Sequence, residues 1–66
     1  MIAFSKNLKM LMGDMSISEL ARRVDIPQQT LSRYLLCMRE ITLTNLCKIA
    51  DYFEEDIDFL IGRKEY

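Results

Sequence analysis

Apolar residues recur along the chain at intervals of three and four, and no stretch alternates as a half-buried strand would, so the pattern predicts helices throughout. Phe4, Leu8 and Leu11 form one stripe, with Lys6 and Lys9 on the wet side, and predict a first helix over residues 2–12 that Gly13-Asp14 ends. Ser16 followed by Glu19 is a capping-box pair, in which each side chain takes the other residue's free N–H. It opens a second helix over residues 17–24, with Met15 and Leu20 placed as a hydrophobic staple and Leu20, Ala21 and Val24 facing inward. Pro27, with no N–H to leave unpaired and a preset φ, opens a third helix over residues 28–36. Leu31, Tyr34 and Leu35 face inward there, while Gln28, Gln29, Ser32 and Arg33 fall on the other side. Thr42 caps a fourth helix over residues 43–53, whose inner stripe is Leu43, Leu46, Ile49, Ala50 and Phe53. Asp56 caps a short last helix over residues 57–61, laying Ile57, Leu60 and Ile61 against the fourth. The expected fold class is all-α, a compact five-helix arrangement.

Composition agrees with that picture. Sixty-six residues are enough for one domain, residues 1–66, which buries only about 60% of the surface its unfolded chain exposes. Half the residues are apolar, with two Gly and one Pro, so the loops are short and the chain is globular, not a disordered tail. No apolar run approaches the ~20 residues a membrane span needs, and the start lacks the basic and apolar regions of a secretory signal. A soluble, cytoplasmic protein is expected.

Candidate chemistry is sparse. Cys37 and Cys47 stand ten residues apart in a chain without His, which fits neither a disulfide framework nor a zinc site. Both are expected as reduced thiols, Cys47 in the core, with no metal and no cofactor. The missing His also removes the commonest general base. Asp56 and Asp58 are too local for a catalytic pair and suit a helix cap and a solvated face; no Gly-rich phosphate loop is present. No enzymatic role and no small-molecule substrate are expected.

The formal net charge is −1, unevenly spread. Residues 1–40 carry six cations (Lys6, Lys9, Arg22, Arg23, Arg33, Arg39) against four anions (Asp14, Glu19, Asp25, Glu40). Residues 41–66 carry three cations (Lys48, Arg63, Lys64) against six anions (Asp51, Glu54, Glu55, Asp56, Asp58, Glu65). The cationic side is the N-terminal one.

The informative stretch is residues 19–35, where two short helices meet across a turn of about three residues. A steep crossing needs a small residue at the approach, which Ala21 supplies; Ile26 plugs the turn, and Val24 and Leu31 close the wedge. Any helical bundle has small and apolar residues at such spacings. The outer face of the third helix is less ordinary. A plain solvated helix shows Glu and Lys there, whereas this one shows Gln28, Gln29, Thr30, Ser32 and Arg33, with no acidic residue from Ile26 to Met38. Gln bonds adenine through N6 and N7, Arg forks onto guanine O6 and N7, and Ser or Thr reaches base or phosphate. Carboxylates on that face would be repelled by phosphates on either side.

Residues 16–35 resemble the DNA-binding domain of lambdoid phage repressors and Cro proteins, and the likeness continues through Leu43–Phe53 and Ile57–Gly62 to the family's fourth and fifth helices. The resemblance implies a lambda-repressor-like fold with the helix-turn-helix at helices 2 and 3. It implies a double-stranded DNA operator as partner, bound by a homodimer across paired half-sites. By the same resemblance Gln28, Gln29, Ser32 and Arg33 touch base edges. Ser16, Ser18, Arg23, Thr30 and Arg39 touch the DNA backbone, although Arg22 and Arg23 fit solvated helix-2 arginines equally well. Ile41, Phe59 and Ile61 belong to the dimer surface. A chain of this length has no room for a separate oligomerisation domain and is expected to be a Cro-like minimal regulator or an isolated domain.

The chain departs from the family pattern at several places. Asp25 stands where Gly commonly supplies φ > 0, and Cys37 where Gly follows the third helix, implying strain or a different turn. Ile17 replaces a frequent Gln that clamps phosphate, so that contact is lost. The turn between the first two helices is about two residues short. Met12 and Leu35 stand where an Arg–Glu pair is common, implying an apolar contact in its place. The lost clamp and the acidic balance favour a rival reading, a helix-turn-helix descendant that binds another protein, of the antitoxin or anti-repressor type.

Overall fold

The computed structural model describes residues 2–63. Five helices follow in order: α1 (Ile2–Met12), α2 (Ile17–Val24), α3 (Gln28–Leu35), α4 (Leu43–Phe53) and α5 (Ile57–Leu60). No strand occurs among the described residues. The third and fifth helices each end one residue earlier than the periodicity predicts. Leu36 and Ile61 sit at their C-caps, outside the helices. Lys64 and Glu65 lie outside the described residues.

Each helix contributes a fully buried side chain to one cluster: Phe4 and Leu8, Leu20, Leu31, Ile49 and Leu60, with Ile26 from the α2–α3 turn. Met12, Val24, Tyr34, Leu35, Leu46 and Ala50 complete it. Met12 and Leu35, expected as an apolar replacement for an ion pair, are both members of this cluster. Phe4 meets Tyr34 edge-on, with ring centroids 6.3 Å apart, a geometry the ring quadrupoles favour. Two inward assignments need correction. Leu43 is 71% exposed, because the first turn of α4 projects past the core. Cys47 is half-buried and outside the cluster, whereas Leu11, Phe53, Ile57 and Ile61, also half-buried, pack against it.

Polar side chains join helices that the core alone would leave free to slide. Ser5, the buried polar residue, donates from Oγ to the Leu35 carbonyl at 2.6 Å, linking α1 to the end of α3. Asn7 donates from Nδ2 to the Phe59 and Leu60 carbonyls at 2.8 and 3.3 Å, linking α1 to α5. Both satisfy carbonyls that the ends of short helices leave without an intrahelical partner.

The helix starts follow the sequence. Ser16 Oγ accepts from Glu19 N, Thr42 Oγ1 from Asn45 N and Asp56 Oδ1 from Asp58 N. The Glu19 carboxylate of the predicted capping box pairs with Arg23. The helix ends share a different device. A left-handed residue follows each helix or its cap: Gly13, Asp25, Cys37, Glu54 and Gly62. Beyond four of them, the next N–H reaches back to a carbonyl five residues earlier: Ile26 to Ala21, Met38 to Arg33, Glu55 to Ala50 and Arg63 to Asp58. This is the Schellman arrangement, which normally employs Gly. Asp25 and Cys37 thus keep the family turn under strain, and Glu54 adds a third such position. Gly62 is the one no side chain fits, since a Cβ there would stand 2.5 Å from Ala3 Cβ.

Candidate nucleic-acid interface

The interface begins with the crossing of α2 and α3. Ala21 is half-buried at their approach, while Leu20, Val24, Ile26 and Leu31 close the wedge beneath it. Burial of Leu31, Tyr34 and Leu35 on one side of α3 fixes its opposite side outward. Gln28, Gln29 and Arg33 are exposed there, and Ser32 and Thr30 are half-buried beside them. The sequence points to these five, and the fold brings them onto one short helix. α3 is about 12 Å long at 1.5 Å per residue, comparable to the width of the DNA major groove.

The start of α3 has an unusual openness. Pro27 occupies its N-cap and makes no side-chain cap bond, so the first N–H groups of the helix point outward with their positive dipole end. At α2 the Ser16 oxygen accepts from Glu19 N at 3.1 Å, leaving its hydroxyl proton free to donate. Ser18 is exposed in the same turn. Arg39 is exposed in the 36–42 connection, beyond the other end of α3. Ile17 is half-buried and packs against the core, where it offers an incoming phosphate no polar group.

Arg23 is differently placed. Its Nε and Nη2 bond Glu19 Oε2 at 3.2 and 3.1 Å. Interaction with Tyr52 and then with Glu19 raises its pKa above the ordinary arginine value. Of the expected backbone contacts it is the one the geometry supports least, because its guanidinium is already engaged. Arg22 is exposed.

Two residues that sequence reasoning leaves unassigned touch the helix-turn-helix from α4. Asn45 donates from Nδ2 to the Tyr34 hydroxyl at 2.9 Å, and Lys48 donates from Nζ to the Asp25 carbonyl at 3.1 Å. Nothing local in the sequence signals either contact, since the partners lie 11 and 23 residues away.

A family profile described as helix-turn-helix matches residues 8–60, from the second half of α1 through the end of α5. The chain belongs to the helix-turn-helix family of phage repressor and Cro type. No curated protein and no solved structure matches it. Family membership makes it a DNA-binding helix-turn-helix regulator with the lambda-repressor-like fold. Among the described residues no helix is long and apolar enough to cross a membrane, and no cluster of His, Cys, Asp or Glu could hold a metal ion. Neither Cys37 nor Cys47 forms a disulfide among the described residues.

Proposed function

We propose that the protein is a Cro-like repressor that binds a palindromic operator as a homodimer, with α3 in the major groove. The observation that carries this reading is the exposed, carboxylate-free face of Gln28, Gln29 and Arg33. Gln28, Gln29, Arg33 and Ser32 contact base edges. Ser16, Ser18, Thr30 and Arg39 contact the phosphate backbone and set register without reading sequence.

The dimer surface is centred on the α3–α4 connection. Leu36 and Met38 are 65% and 71% exposed there, Leu43 follows at the start of α4, and half-buried Ile41 lies between them in the chain. A second copy is the natural occupant. The patch adjoins the end of α3, so a twofold axis through it holds two reading helices at a fixed spacing. Arg39 and Glu40 give its border both charge signs, so a symmetry-related copy meets no net repulsion. Phe59 and Ile61 are half-buried, and Ile61 packs on its own core, so they add at most a margin to this surface.

Selection of bound duplexes from a random pool tests the reading directly, with an inverted repeat as the expected product. Binding to it should weaken steeply with salt as counterions are displaced. Gln28→Ala or Gln29→Ala should relax base preference by about 1–3 kcal/mol per lost bidentate contact. Arg39→Ala should weaken all sequences alike. Recovery of no enriched sequence would instead favour the protein-binding alternative, to which the half-buried Ile17 and the acidic net charge lend some weight.

A further inference from the structure

α3 packs mainly against α2 and α1, whereas α4 packs against α2 and α5. α4 nevertheless reaches the helix-turn-helix at two points through polar atoms. Asn45 and Lys48 stand three residues apart, hence on neighbouring positions of one side of α4. Lys48 holds the Asp25 carbonyl at the turn that feeds α3, and Asn45 holds the Tyr34 hydroxyl near the last turn of α3. One grip therefore lies ahead of Gln28 and Gln29, and the other immediately after Arg33.

We infer that Asn45 and Lys48 are positioning residues for base recognition: α4 fixes the roll and axial setting of the reading helix at both ends while touching no DNA itself. The inference rests on the proposed role of α3. Apolar packing is non-directional and tolerates small rotations, whereas a hydrogen bond is confined to a few tenths of an ångström and a narrow angle. A helix with its side chains is ~12 Å across, so a roll of about 10° moves a side-chain tip by about 1 Å. That displacement is enough to spoil a bidentate contact to a base edge. Phosphate contacts made by long flexible cations tolerate it. Loss of the two grips should therefore reduce discrimination between sequences while sparing sequence-independent affinity.

The test uses Asn45→Ala, Lys48→Met, which keeps most of the stem, and the double variant, each first shown to be folded by its unfolding midpoint. Affinities are measured for the selected duplex and a scrambled one at several salt concentrations. Each single variant should lose about 3- to 10-fold on the selected duplex, the worth of one net hydrogen bond, with the scrambled duplex and the salt slope unchanged. The double variant should lose more than either single one. Parallel weakening on both duplexes would overturn the inference, as would unchanged discrimination in the double variant. A salt slope lowered by about 1 in Lys48→Met would also overturn it, by marking Lys48 as a phosphate contact. If the unaltered protein does not distinguish the two duplexes, the role of α3 fails and this inference fails with it; normal discrimination retained by the variants sinks the inference alone.

Discussion

α3 and α4 are both amphipathic, and both end in a non-Gly residue of left-handed conformation, yet they are built for different ends. α4 has 11 residues, a side-chain N-cap at Thr42 and an acidic residue, Asp51, on its wet side. α3 has eight residues, Pro27 at its N-cap with no side-chain bond, and an outer face without carboxylates. Isolated helices of this length are marginal in water. α3 therefore exists because Leu31, Tyr34 and Leu35 are buried, which leaves its outer residues free to be chosen for recognition. In the proposed function stability and reading are divided between the two helices, and α4 supplies polar contacts to the one proposed to read.

The division breaks most sharply at Leu31 and Leu43. Leu31 is fully buried and Leu43 is 71% exposed. Leu31→Ala should cost about 2–5 kcal/mol, as core truncations do, which in so small a domain is most of the folding free energy. Leu43→Ala should stay within about 0.5 kcal/mol in urea unfolding. Next in size is Gln29→Glu, nearly isosteric on the exposed face of α3. Unfolding should be unmoved within about 0.5 kcal/mol. Operator affinity should fall by roughly 10- to 100-fold, through a lost base contact and phosphate repulsion. A comparable loss of stability would show that this face serves the fold as well.

Helix ends offer a finer comparison. Thr42→Ala, which removes the acceptor for Asn45 N, should cost about 1 kcal/mol in thermal or urea unfolding. Replacements at the left-handed C-terminal positions should act in the opposite direction. Glu54 and Cys37 have φ of 53° and 58°, a region that costs an L-residue roughly 1–2 kcal/mol. Glycine removes that strain but loses more entropy on folding, so Glu54→Gly and Cys37→Gly should each stabilise by about 0.5–1 kcal/mol. Asp25→Gly should gain less, because Asp tolerates the conformation better than most residues. A loss of stability in Glu54→Gly would mean that its backbone is not under strain.

Much of this architecture is legible in the amino-acid sequence. Periodicity and caps place all five helices to within a residue, because each segment's apolar spacing, cap residue and breaker agree on the same boundaries. The strained positions at Asp25 and Cys37 are signalled only through the family resemblance, and Glu54 not at all. A Gly announces a left-handed turn, whereas a Glu in one looks like any surface residue. Leu43 misleads because its spacing fits the inner stripe of α4, while its burial depends on how far the core extends beneath the first turn. Ser5, Asn45 and Lys48 escape notice for a related reason. A polar residue's partner 11 to 30 positions away is settled by the packing of whole helices. The residues proposed to face bases are the easiest part of the candidate site to see, since missing acid on a wet helix face shows in the sequence alone. Their positioning residues carry no such mark.

The smallest expected effect concerns Arg23. Its bonds to Glu19 join two residues one turn apart on α2, with side chains 53% and 38% exposed. Such pairs gain little, since water screens the charges and ordering two long side chains costs entropy. Arg23→Gln should leave the unfolding midpoint where it was. The same variant also weighs Arg23 against Arg39 at the DNA. A guanidinium occupied by Glu19 and influenced by Tyr52 has to give up those partners to meet a phosphate, whereas exposed Arg39 shows no ion pair among the described residues. Arg39→Gln should therefore lower the salt slope of DNA binding by about 1, and Arg23→Gln should leave it unchanged. Equal slopes lost in both variants would place Arg23 on the backbone after all, with its partner exchanged from carboxylate to phosphate on binding.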